Sequence, residues 1–126
     1  MNYRKFLIAA LLVMSFAVQA KDITVTRLTC EMRDGRVTTS DTPRLGWQMS
    51  SPENGTRQTA YEIEIRDVWA GKVVWNSGKV KSAQSQLVSC ADAVLEKDRH
   101  YTWRVRVWDE ADTPSAWSAP SDFSIL

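Results

Sequence analysis

Histidine occurs once in this 126-residue chain, as His100. That scarcity excludes histidine-rich metal centres and leaves no workable Ser-His-Asp triad among the several serines. Glycine is sparse too. The five glycines stand singly, so no glycine-rich loop is available to cradle a phosphate, and no cofactor is expected. Neither sign of charge dominates: 16 basic residues face 15 acidic ones, without the basic surplus that a nucleic-acid partner favours. From residue 21 onward no stretch carries apolar side chains at helical spacing over the dozen positions a helix needs.

One long uncharged run is present, at the N-terminus. Arg4 and Lys5 precede an uncharged stretch from Phe6 to Val18, and Val18-Gln19-Ala20 places small residues where a signal peptidase inspects them. The run is shorter than the ~20 apolar residues that span a bilayer. Residues 1–20 therefore read as an export signal and residues 21–126 as one mature domain, with no membrane span after cleavage. Cleavage takes Arg4 and Lys5 away, so 16 basic residues become 14 against 15 acidic ones, a formal charge of about −1. Cys30 and Cys90 are the only cysteines, and an oxidising destination permits a bridge between them. The strand pattern sets them on one sheet with a third strand between, and a disulfide needs Cα atoms within about 7 Å, so a bridge and two buried thiols both stay open.

Short runs of alternating side chains, separated by turn signals, predict an all-β chain. Ile23 to Cys30 makes a ragged first strand, and Asp34-Gly35 marks a turn. Arg44 to Met49 presents Leu45, Trp47 and Met49 on one face. Thr59 to Asp67 alternates most clearly, with Tyr61, Ile63 and Ile65 opposite Glu62, Glu64 and Arg66. Lys72 to Asn76, Gln86 to Ser89, Tyr101 to Trp108 and Ser121 to Leu126 complete seven strands. Seven short strands in about a hundred residues predict a Greek-key sandwich.

Leu95 stands six residues before Tyr101, where the chain crosses between sheets. The pair resembles the tyrosine corner of fibronectin type III and immunoglobulin-like domains, and Trp47 and Tyr61 occupy places where such domains keep aromatic core residues. A narrower likeness follows from motifs in order: Thr42-Pro43-Arg44-Leu45-Gly46-Trp47-Gln48, Arg57-Gln58-Thr59-Ala60-Tyr61-Glu62-Ile63, Trp75-Asn76-Ser77-Gly78-Lys79-Val80, the run Tyr101 to Asp109, and Pro114-Ser115-Ala116-Trp117-Ser118. Together they resemble the N-terminal fibronectin-like domain of bacterial α-L-rhamnosidases, glycoside hydrolase family 78. The resemblance implies an accessory domain of a carbohydrate-degrading enzyme, exported to the periplasm or beyond the cell. It also implies that the catalytic acids belong to a helical barrel not encoded here, so this chain alone is expected to have no enzymatic activity and no catalytic residue. Its expected partners are the catalytic and other β-domains of such an enzyme, and the chain reads as a detached N-terminal portion or a truncated frame. Cys90, the Glu96-Lys97-Asp98-Arg99-His100 corner and the loop Ala111-Asp112-Thr113 depart from the family pattern.

Three groups of residues remain as candidates for function. Arg104, Arg106 and Trp108 share a strand face, with Trp117 at the entry to the neighbouring strand. Guanidinium groups stacked on these indoles would form a structural ladder, or a docking face for the rest of the enzyme. Glu62 and Glu64 project from one face about 7 Å apart, as glycosidase carboxylates do, but their alternation with Tyr61, Ile63 and Ile65 reads as the solvent side of an amphipathic strand. Trp69, near a hairpin tip, and Trp75 are candidates for stacking on rhamnose-containing glycans, which would make the chain a free carbohydrate-binding module.

Overall fold

The computed structural model describes residues 23–126, so the export signal expected over residues 1–20 lies outside the described residues. Nine strands and no helix are found among them: β1 (Thr24–Cys30), β2 (Arg33–Asp34), β3 (Val37–Thr39), β4 (Arg44–Ser50), β5 (Ala60–Asp67), β6 (Lys72–Asn76), β7 (Val88–Ser89), β8 (Arg99–Trp108) and β9 (Ser121–Ile125). They form two sheets, ordered β2-β1-β4-β7 and β3-β9-β8-β5-β6. The all-β sandwich is as expected, but the strands number nine rather than seven. The two additions are β2 and β3, too short for alternation to mark them.

Alternation sets the inward face of the long strands. β5 turns Tyr61, Ile63 and Ile65 inward, and β8 turns Tyr101, Trp103, Val105 and Val107 inward. The two strands run antiparallel in unbroken register from Ala60↔Trp108 to Asp67↔Tyr101. Across the sandwich β4 supplies Leu45 and Trp47, both fully buried. The Trp47 ring meets Tyr61 edge-on at 5.4 Å and lies 6.5 Å from Trp103. Its Nε1–H donates to Gln58 Oε1 at 3.0 Å, which satisfies the one polar atom on the indole. Truncating an aromatic side chain of this kind costs about 3–5 kcal/mol.

The raggedness of the first strand has a structural cause. Thr26 pairs with Gln48 but Thr29 pairs with Gly46, so β1 spends three steps where β4 spends two. Arg27 takes up the bulge with a φ of 47°. The bulge shifts the phase, so Ile23 and Val25 point inward before it and Leu28 and Cys30 after it. Beside it, Gly46 has no room for a side chain: a Cβ would come within 2.7 Å of both Gln86 Oε1 and Thr29 Oγ1. That close approach lets Gln86 Nε2–H donate to Trp47 O at 2.8 Å and holds the segment before β7 against β4.

β3 adds to the second sheet by pairing parallel with β9, Val37 opposite Phe123 and Thr39 opposite Ile125. Cys30, at the end of β1, and Cys90, just after β7, are separated by β4 and are free, buried thiols.

Candidate interaction surface

On the outer face of the second sheet, Glu62 lies directly opposite Arg106 and Glu64 directly opposite Arg104. Arg106 bonds Glu62 at 2.8 Å and Arg104 bonds Glu64 at 3.0 Å. The glutamates lie on the outer side of the strand, as expected, and their carboxylates are largely covered there beneath the two arginines. Above them, the Arg104 guanidinium is 4.2 Å from the centre of Trp117. Arg106 is 4.7 Å from Trp117 and 5.0 Å from Trp108. Lys79 Nζ sits 4.9 Å from the other end of the stack at Trp108, and it pairs with Asp112. Cation and indole therefore alternate along the sheet in the order Arg104, Trp117, Arg106, Trp108, Lys79.

Trp117 reaches this position because two serines tie its segment to β8. Ser115 N–H donates to Val107 O at 2.7 Å while Ser115 Oγ accepts from Val107 N–H at 3.1 Å. Ser118 repeats the pattern on Val105 at 2.9 and 3.1 Å. These serines were not singled out in the sequence, although their spacing of three around Trp117 is the visible signal. Every charge in the ladder has a partner, so the ladder fastens the chain to itself and presents no free group for chemistry.

At the sheet crossing, Tyr101 Oη accepts from Glu96 N–H at 2.8 Å, and Leu95 packs against the core. Trp69 sits in the β5–β6 turn, 67% exposed, with the Arg99 guanidinium 5.2 Å from its centre. Arg99 is held in turn by Asp67, whose Oδ1 accepts from Ala70 N–H at 3.0 Å. The Ala70 amide first, with Arg99 second among the favourable contacts, keeps the Asp67 carboxyl below its ordinary range. Trp75 is half-buried against the core, whereas Trp69 is largely exposed.

His100 was expected to have no triad partners, yet Ser124 Oγ lies 2.9 Å from its Nδ1 and Asp122 Oδ2 lies 3.9 Å from its Nε2. The three are cross-strand neighbours on β8 and β9. The Asp contact is beyond hydrogen-bond range. Backbone amides beside Ser124 are engaged with β3 and β8, which removes the oxyanion donors that acyl transfer needs. The trio is a sheet-face contact. Among the described residues no three His, Cys, Asp or Glu side chains converge as metal ligands would.

A cleft of about 690 Å³ opens at the end of the sandwich where β4 ends and β5 begins, with Ile23, Met49 and Ala83 beside Arg57 and Lys81. A smaller pocket of about 290 Å³ touches Glu64 and Arg104 but not Glu62.

The profile of the family described as "Rha78A-like, N-terminal immunoglobulin domain" matches residues 25–125. The chain belongs to this family. An α-L-rhamnosidase of Streptomyces avermitilis is 46% identical over 82 residues, covering 63% of this chain and 8% of the relative. One of Formosa agariphila is 32% identical over 93 residues, covering 68% of this chain and 10% of the relative. Among solved structures, the Streptomyces avermitilis α-L-rhamnosidase complexed with L-rhamnose superposes with a TM-score of 0.75 at 38% identity, over 82% of this chain and 10% of the other. The α-L-rhamnosidase from Dictyoglumus thermophilum gives a TM-score of 0.71 at 26% identity, over 81% and 12%. This member of the Rha78A-like domain family thus spans about a tenth of the rhamnosidases it matches.

Proposed function

We propose that this chain is a non-catalytic accessory domain of an exported α-L-rhamnosidase of glycoside hydrolase family 78, acting as part of, or partner to, the catalytic portion and packing against it. The observation that carries the reading is the match over residues 25–125 to a domain described as N-terminal, in relatives of which the chain spans about a tenth. The chemistry of the outer face supports it. Glycoside hydrolysis needs two carboxyl groups flanking a bound sugar, one of them able to give up a proton. Glu62 and Glu64 are instead each tied to an arginine, and the pocket at Glu64 is not lined by Glu62.

Purified chain incubated with an aryl α-L-rhamnoside releases phenol no faster than buffer; turnover that co-purifies with the folded protein overturns the non-catalytic reading. Export rests on residues 1–20, and its check is the mass of the mature product, which should begin at Lys21. A product retaining Met1 contradicts it.

A further inference from the structure

Seven large apolar side chains are exposed among the described residues: Met32, Val68, Trp69, Val73, Leu87, Val94 and Leu126. Four of them, Met32, Val68, Trp69 and Val94, lie at one end of the sandwich, the end at which the chain leaves β9. This is the end where β1, β5 and β9 finish and β4 and β8 begin. Met32 lies in the turn leaving β1, and Val94 in the corner between β7 and β8. Val68 N–H donates to His100 O at 3.0 Å, Asp98 N–H to Ile125 O at 2.7 Å, and Leu126 N–H to Thr39 O at 2.8 Å. These bonds tie the β5–β6 turn, the corner and the end of β9 into one surface. β9, β8 and β5 are successive neighbours, so two strand spacings, about 10 Å, separate Leu126 from the Val68-Trp69 turn.

Trp69 is the prominent feature of this end. Arg99 sits against its ring and is itself fixed by Asp67, while two thirds of the residue remains exposed. An indole held in place before binding loses little freedom on burial, which is the property of an interface anchor. The tryptophans of the ladder differ in burial: Trp108 is buried and Trp117 is partly covered between Arg104 and Arg106, while Trp69 is largely exposed.

We propose that this end, anchored by Trp69, is the docking surface for the polypeptide that follows this domain in α-L-rhamnosidases. The occupant is identified by position. The family is described as an N-terminal domain, and the matched segments are 8% and 10% of their relatives, so most of each relative's polypeptide follows the domain. In this fold the chain leaves β9 beside the Trp69 turn, so following polypeptide emerges onto this apolar surface. The inference rests on the accessory-domain reading above and specifies its contact surface.

Residues 23–126 are exchanged for the matched segment of the Streptomyces avermitilis α-L-rhamnosidase, and amide hydrogen exchange is compared between that chimera and the full chain alone. Amides of residues 68–72 and 91–98 should exchange at least about tenfold more slowly in the chimera, while the serine-tied segment 114–118 and the loop 51–59 stay unchanged. Trp69→Ala should return the slowed amides to their free-chain rates and lower the Tm of the free chain by only a few degrees, the loss of its one contact with Arg99. Val94→Asp, at a residue 86% exposed, should do the same. Protection gained at another surface overturns this inference and leaves the accessory-domain reading standing; protection gained nowhere overturns both. A dimer of the free chain that Trp69→Ala dissolves, or an L-rhamnose-dependent fluorescence change that Trp69→Ala removes, overturns it in favour of a second copy or of a sugar.

Discussion

Cys30 and Cys90 show how position on a sheet decides the chemistry of a side chain. β4 runs between the strand ending in Cys30 and the residue following β7, and each sulfur is closed off by core side chains rather than paired. Cys90 Sγ–H donates to Pro43 O at 3.1 Å, and that contact favours the protonated thiol. Burial, with a further push from Glu31, raises the Cys30 thiol to about 11. Burial and the neighbouring Cys30 raise Cys90 to about 12. The thiolate is the reactive form, so neither sulfur should react with Ellman's reagent at pH 8 in the folded chain, and both should react promptly in 6 M guanidinium. Two fast-reacting sulfurs in the native state would contradict this placement. The same shifts set a dependence on pH. The unfolded thiols release their protons near pH 8.5–9 while the folded ones retain them, so the contribution is intact at pH 7 and is lost as pH rises through about 9 towards 11. The guanidinium midpoint should therefore fall between pH 7.5 and pH 10.5, and fall less in a Cys30→Ala, Cys90→Ala variant.

At the scale of elements, the serine-tied segment 114–118 makes the sharpest claim. Trp117 stacks on both Arg104 and Arg106, and without the indole the two guanidiniums keep their glutamates but lose the surface above them. Trp117→Ala should cost about 1–2 kcal/mol in chemical denaturation, the sum of two cation–π contacts at a half-exposed site. Trp117→Phe should recover part of it, because the ring face is what the arginines need. A loss confined to the ±0.5 kcal/mol typical of surface changes would mean that the stack is ornamental. Alternation alone puts Arg104, Arg106 and Trp108 on one face, because positions two apart on a strand share a side, and that much was legible. Trp117 was also expected beside this face, at the entry to the neighbouring strand, but what holds it there was not legible: it depends on Ser115 and Ser118 returning the chain along β8, a pairing between irregular backbone and a strand that no periodicity announces. β3 was missed for a related reason. Three residues with one buried apolar side chain, Val37, carry no pattern, and the parallel partner β9 lies more than 80 residues away. Leu28 broke the phase of β1 in the sequence, yet only the register against β4 shows the break to be a bulge at Arg27. The exposed end around Trp69 was readable only in part, since isolated apolar residues in turns are common and their convergence is a property of the fold.

At the scale of the whole molecule, the two sheets share one apolar core rather than two. Trp47, Leu45 and Val88 from one sheet pack in the same cluster as Tyr61, Ile63, Trp103, Val105 and Phe123 from the other. Neither sheet can leave without exposing the inner face of its partner, and burial of those faces is the main force holding the sandwich together. Unfolding should therefore be a single transition, with tryptophan fluorescence, dominated by the burial of Trp47 and Trp103, and far-UV circular dichroism giving the same denaturant midpoint. Folding should be slow for the size, in milliseconds to seconds, because β3 must find β9 and β5 must find β8 across long loops before either pairing is stable. Midpoints that differ between the two probes would show that the sheets come apart separately. The Trp47 contacts at 5.4 Å to Tyr61 and 6.5 Å to Trp103 would then not be what couples them, and the two-layer account of this domain would have to be replaced.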